Sequence, residues 1–268
     1  MNIIGIDSGS SAVKIVEVNP KGKILHKLIL NKISVIKAIE IFINKEKIEK
    51  NNISKIVLTG VGKDEIDDEI YEIPIVKVDE FISIGTGGLY LAEKRSGLVV
   101  SIGTGTAFVS AKGKKIKHVG GTGVGGGTLI NLCKKFGNAN SINVINECIQ
   151  NGSLNNVDLT IQDVSTKEIK TLPKDTTSAN FGKLSENATS YDIILGIVNM
   201  IFETIGVMAV FGAQSNRHKN IIVIGNVATM PYINKVLKRI EKLHPGVKFI
   251  IPKHAEFATV IGAIKSIN

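Results

Sequence analysis

Two stretches, GIDSGSSAVKIV at residues 5–16 and SIGTGTAFVSA at residues 101–111, set the same pattern down once in each half of a 268-residue chain. Each is an apolar run, a tip of Gly, Ser and Thr, and a second apolar run, which reads as two antiparallel strands joined by a tight turn. A turn alone needs one glycine. Several glycines among hydroxyl side chains bring backbone N–H groups and O–H donors to one point, where they can surround the oxygens of an anion. The recurrence constrains the fold more than either copy does, because it predicts a duplicated α/β chain with one such tip per half.

The remaining pattern fits that frame. NIIGID and VKIVEV read as strands, KILHKLIL as a third after a turn at 20–22, residues 33–49 as a helix, SKIVLTG and IPIVKVD as strands, and Glu80 to about Lys94 as a helix. A second cycle runs through GLVVSIGTGTAFVSA and IKHVGGTG to a helix over 127–135. Residues 140–186 are polar and read as short helices and loops beside a cleft. A long apolar helix over 191–214, the strand NIIVIGN, a helix over 231–243, the strand VKFII and a helix over 255–266 complete it. The boundary falls near residue 95, giving an N-terminal lobe of 1–95 and a C-terminal lobe of 96–268 joined by a hinge.

The uninterrupted apolar runs fall short of the roughly 18 residues of a membrane helix, and MNIIGIDSGS lacks the basic and then apolar layout of a signal peptide, so a cytoplasmic protein is expected. The net charge of +9 is spread over KGK, NKEKIEK, KGKKIK and LKRIEK, beside acidic residues. Aromatics make up 5% of the chain and none is interleaved with a basic patch, which argues for solvated faces and small anionic ligands against nucleic acid. Cys133 and Cys148 match no metal-ligand spacing and read as buried thiols. One further stretch is shaped for an anion: GGTGVGGGTLINL at 120–132 leads glycines into a helix N-terminus. Another, VIGNVATMPYINKVL at 223–237, reads as a buried strand that ends in Gly225 and Asn226 before a further helix.

Paired in this order, the two tips resemble the phosphate-1 and phosphate-2 loops of the actin, sugar kinase and Hsp70 superfamily, and residues 223–237 are similar to its adenosine loop. Within that class the succession IDSGSSAVKIV, IPIVKVDEF, GTGT, VGGTGVGGGT, TSANFG, VIGN and FATVIGA resembles type II pantothenate kinase over nearly the whole chain. The spacing from GTGT to VGG to GGGT and the segment DTTSANFG are its most specific pieces. The resemblance implies two duplicated RNase H-like lobes with an ATP cleft between them, and phosphorylation of the primary hydroxyl of pantothenate to 4'-phosphopantothenate in coenzyme A biosynthesis.

Carried onto this sequence, the resemblance gives Asp7 the role of holding Mg2+ through water, and sets Ser8, Gly9, Ser10, Ser11 and Lys14 along the phosphates. Thr104, with Gly105 and Thr106, approaches the γ-phosphate. Gly126, Gly127 and Thr128 contact nucleotide from the helix entrance, and Asn226 sits near adenine. Glu80, before Phe81, takes the place of the catalytic base, with Asp79 beside it. His118, Gly120 and Gly121 fall at the acceptor end. His118 stands where the family carries Arg, and a mostly neutral imidazole is a poorer partner for a carboxylate. SGSS replaces a GGT-like loop, and Thr259 a glycine. These departures leave open a related alcohol such as pantetheine, or a nucleotide or coenzyme A sensor without turnover. The resemblance further implies a homodimer through residues 193–213 and an acyl-coenzyme A inhibitor, with neither nucleic acid nor membrane as partner.

Overall fold

A computed structural model describes residues 1–31, 33–63, 66–167 and 172–267. β1 (Asn2–Ser8) and β2 (Ala12–Val18) form the first hairpin, with Ser8 opposite Val13, and β3 (Ile24–Asn31) pairs antiparallel with β2. α1 (Val35–Glu46) follows; the Ser34 hydroxyl accepts the Lys37 N–H at its start. At its end Lys47 turns left-handed at φ 52°, so the helix is shorter than 33–49. β4 (Ile53–Thr59) then lies parallel to β1. β5 (Glu69–Ile70), which the sequence pattern does not announce, edges the sheet beside β6 (Ile73–Lys77), which is parallel to β4.

After α2 (Glu80–Leu91), the second hairpin is β7 (Ser96–Ile102) and β8 (Thr106–Lys112), followed by β9 (Lys115–Thr122) and α3 (Gly126–Gly137). The polar stretch holds α4 (Ile142–Asn151), β10 (Leu159–Thr160), α5 (Ile161–Val164) and β11 (Thr177–Ala179). Short helices were expected there, but not the β10–β11 pair; residues 168–171 lie outside the described residues. The chain closes with α6 (Ser190–Ser215), β12 (Asn220–Ile224), α7 (Pro231–Leu243), β13 (Lys248–Ile250) and α8 (Ala258–Ser266). The expected helix from Ala255 opens instead as a 3-10 turn over Ala255–Phe257.

Duplication is visible in strand order. The first sheet runs β3-β2-β1-β4-β6-β5 and the second runs β13-β12-β7-β8-β9, so hairpin, third strand and two parallel strands take equivalent places in both. α6 is long and apolar enough to cross a membrane, but most of its apolar length is buried, and Ile194, Val198, Ile201, Phe202 and Val210 sit in the core behind the second sheet.

The helices α2 and α8 are exchanged between sheets. α2 follows the first sheet in sequence yet packs Ile84 and Leu89 into the core with Leu98, Val99 and Val100 of β7. α8 follows the second sheet yet packs Val260 and Ile264 with Val16 and Val57 of the first. The two helices cross at glycines: a Cβ on Gly87 would land on the Ala258 carbonyl oxygen, and one on Gly262 on the Ser83 carbonyl oxygen. Backbone meets backbone there because neither helix carries a side chain at the crossing.

Candidate active site

The Ser10 and Ser11 hydroxyls at the β1–β2 turn each lie 2.7 Å from the Thr104 hydroxyl at the β7–β8 turn. Tips from the two halves therefore meet, and three exposed hydroxyls share one spot. Behind them Asp7 stands opposite Lys14 in the β1–β2 register, with Lys14 Nζ 3.5 Å from Asp7 Oδ2. Burial pushes the Asp7 carboxyl above the usual range, and Lys14 offsets this only in part. A desolvated carboxylate so weakly compensated fits a second cation. Mg2+ is commonly held by one or two carboxylates plus waters and phosphate oxygens, which one acid can serve, and no cluster of three or more His, Cys, Asp or Glu side chains is arranged for a metal among the described residues.

Glu80 opens α2, and its position is fixed from two sides. Asp79 caps the helix by accepting the Ile82 N–H at 3.0 Å. The Ser83 hydroxyl donates to the Asp79 carbonyl at 2.8 Å, so the buried Thr59 hydroxyl, 3.0 Å away, donates to Ser83 and ties the helix to the end of β4. Burial raises the Glu80 carboxyl above the ordinary glutamate range, Asp7 and Asp79 raise it further, and Lys63 and Lys14 pull it back. These four charges act on Glu80 because all five groups share one neighbourhood.

Next to Glu80, Phe81 stacks on His118 of β9, with ring centroids 4.1 Å apart and planes 18° from parallel. A Cβ on Gly121 would come within 3.8 Å of His118 Nε2. Gly120 lies opposite Phe108 across the β8–β9 ladder, so His118, Gly120 and Gly121 line one end of the strand that faces the start of α2.

The glycine-rich loop braces the second tip. Gly126 N–H donates to the Gly103 carbonyl at 2.8 Å and Gly127 N–H to the Thr104 carbonyl at 2.9 Å. Cβ atoms there would sit 2.8 Å from Gly103 O and 2.9 Å from the Thr104 methyl. The first turn of α3 is thus spent on holding Thr104 in place. Thr106 is buried and donates to the Val124 carbonyl at 2.8 Å; Thr128 donates to the Gly123 carbonyl at 3.0 Å and accepts the Gly125 N–H at 3.3 Å. Gly105 lies against Thr122 and Gly123. Gly225, at φ +109°, packs against Ile102 and carries the chain into Asn226, and Val227 lies beside Gly126, so the 223–237 loop adjoins the α3 entrance.

Sequence reasoning missed the loop over residues 59–63. Gly60, at φ +95°, and Gly62 lie against Ser8, whose carbonyl accepts the Gly62 N–H at 3.3 Å, and Lys63 acts on Glu80. A Thr-Gly-Val-Gly-Lys run directly after an apolar strand was the available signal. Also unforeseen is a buried polar network: Asp158 Oδ2 accepts from Asn199 at 2.9 Å, Asp158 Oδ1 from Phe181 N–H at 2.9 Å, and Glu203 from Thr177 and Arg239. It fastens the TSANFG segment to α6 and α7.

A family profile described as Fumble matches residues 96–266. Type II pantothenate kinase from Staphylococcus epidermidis is 27% identical over 270 residues, covering 97% of both chains. Among solved structures, the activator of 2-hydroxyisocaproyl-CoA dehydratase from Clostridium difficile with bound ADPNP superposes at a TM-score of 0.70 with 18% identity, over 98% of this chain and 92% of that one. A ROK family glucokinase from Streptomyces griseus in complex with glucose and AMPPNP gives 0.66 and 12%, over 99% of each. Both neighbours carry the paired-lobe α/β fold described above.

Proposed function

The chain belongs to the Fumble family, and on that premise we propose that it is a type II pantothenate kinase, transferring phosphate from ATP to the primary hydroxyl of pantothenate. The observation that carries this reading is the junction of Ser10 and Ser11 with Thr104, backed by Asp7 and Lys14 and flanked by Glu80. Phosphoryl transfer asks the protein mainly for positioning and charge neutralisation. When bound, Mg-ATP supplies the phosphoryl group and a metal that screens its charge.

In this reading the two lobes, 1–95 and 96–268, close on the triphosphate. Asp7 would hold Mg2+ through water, and Lys14 would stand beside the phosphates as a fixed positive charge. Ser8, Gly9, Ser10, Ser11, Thr104, Gly105 and Thr106 form the two phosphate loops, and Ser10, Ser11 and Thr104 turn their hydroxyls to the phosphate oxygens. Gly126, Gly127 and Thr128 hold the second loop in register, and Asn226 borders the adenine. Glu80 accepts the proton of the attacking hydroxyl; its raised affinity for protons strengthens it as a base. His118, Gly120 and Gly121 border the acceptor. Two copies associate through the exposed stripe of α6, in the cytoplasm.

One observation favours a second acceptor. His118 is stacked face-on against Phe81, an aromatic wall better suited to a neutral end such as that of pantetheine than to a carboxylate. The deciding experiment is mass spectrometry of products after incubation with Mg-ATP and an equimolar mixture of pantothenate and pantetheine, beside Glu80→Gln. Phosphopantothenate from the wild type, lowered roughly 100-fold or more in the variant, is the expected result. Pantetheine phosphorylated alone moves the assignment to the second acceptor, and no product from either ends the kinase reading.

A further inference from the structure

At the far end of α2 from Glu80, a cavity of about 600 Å³ opens between the β2–β3 turn, the last turn of α2 and the last turns of α8. Ten residue steps of helix separate Tyr90 at its edge from Glu80, roughly 15 Å by helical rise, so it is not part of the crevice at Glu80. We propose that it binds a small amphipathic anion, a phosphate or carboxylate carried on a short apolar body.

The cavity is divided by chemistry. Ile3, Val18, Ile24, Leu91, Ile261 and Ile264 form an apolar floor, and Lys21, Lys23 and Lys265 stand around it. No carboxylate among the described residues lines it. The turn bearing two of these lysines is held in shape, since Asn19 Oδ1 accepts both the Lys21 and the Lys23 N–H at 3.0 Å. Between them Gly22, at φ +77°, leaves the space into which Lys265 reaches: a Cβ there would lie 2.7 Å from Lys265 Nζ. The same ammonium lies 4.6 Å over the Tyr90 ring, so α8, α2 and the turn converge on one charge. His254, also at the cavity, is held towards its neutral form first by burial and then by Lys27 and Lys253, against the opposing pull of Glu256.

Opposing this, α2 and α8 both end near the cavity, and each helix end contributes about half a negative charge. Three lysines outweigh two such half-charges, and the net potential favours an anion. The volume lies within the roughly 300–1,000 Å³ of small-molecule sites. Lysines alone would attract any anion to the surface, and the apolar floor alone any hydrophobe. Together they select a molecule with both parts.

The test is calorimetric titration of the whole chain with hexyl phosphate, with Mg-ADP at saturation to fill the nucleotide crevice, against hexanol and inorganic phosphate as the two halves of the probe. We expect one saturable site per chain for hexyl phosphate, with each half-probe at least tenfold weaker. Lys23→Gln with Lys265→Gln should weaken hexyl phosphate at least tenfold while leaving turnover with Mg-ATP unchanged. Co-sedimentation with phosphatidate vesicles, lost in the same double variant, would assign the anion to a lipid; its absence alongside hexyl phosphate binding would assign it to a free metabolite. Absence of saturable binding at millimolar hexyl phosphate, or equal affinity in the double variant, overturns the site. Because turnover is read separately, neither result depends on the kinase reading.

Discussion

Glu80 carries two opposed consequences of one physical fact, its raised affinity for protons. In the proposed role of base it would work ionised, so turnover should fall as pH drops through its folded-state value, which lies above the ordinary glutamate range. Lys63 favours the ionised form; Lys63→Gln should therefore move the acid limb of the pH–rate profile to higher pH. A limb that stays in place or moves lower contradicts that role. The second consequence concerns stability. A carboxyl whose folded value is raised contributes stability below its unfolded value and loses that contribution as pH rises through the folded one. At neutral pH the charge on Glu80 thus works against the fold. Glu80→Gln, expected to lose turnover, should melt no lower than the wild type at neutral pH, and its relative stability should grow as pH is raised from the acidic side. Thermal melts at several pH values read this, and a variant that melts progressively lower towards neutral pH refutes it.

At the level of elements, the crossing of α2 and α8 seats the helix that carries Glu80. Gly262→Ala would drive a methyl into the Ser83 carbonyl in the first turns of α2, where backbone cannot yield as a side chain can. We expect a loss of about 3 kcal/mol, a fall in Tm of roughly 6–12 °C for a chain of this size. Gly123→Ala, which meets nothing within 4 Å, is the control and should melt like the wild type. This crossing was not legible in the sequence, and the reason is physical. Period and turn chemistry announce local structure, so both hairpins were readable, and α7 starts where Pro231 starts it. An amphipathic pattern shows that a helix is buried without showing against which sheet, and the glycines of GTGG in α2 look like helix breakers until Gly262 is set beside them. Residues 59–63 were overlooked for the same reason. Their closeness to Ser8 follows from the β1–β4 register, in which Asp7 faces Thr59 across a separation no local pattern spans. The meeting of Ser10 and Ser11 with Thr104 was within reach because the same motif is printed twice.

On the scale of the whole molecule, α6 connects the buried core to the proposed partner. Its inner residues fill the core behind the second sheet, while Thr204, Met208 and Phe211 emerge along one side, Phe211 at 59% exposure. Phe211 is exposed and approaches His244 edge-on at 6.5 Å, so an aspartate there should leave the protomer fold intact. If the proposed dimer of two 28.8 kDa chains forms through this stripe, Phe211→Asp should convert it into monomers in sedimentation velocity, with its melting behaviour little changed. Charge adds a second expectation. Each chain carries +9, so two copies repel one another at long range, and an apolar interface must hold against that repulsion. Raising salt shortens the reach of the repulsion, from a screening length of about 30 Å at 0.01 M to about 8 Å at 0.15 M. The proposed dimer should therefore tighten as salt rises, where an interface built on ion pairs would loosen. A dimer that weakens with salt, or that survives Phe211→Asp, places the contact on a different surface.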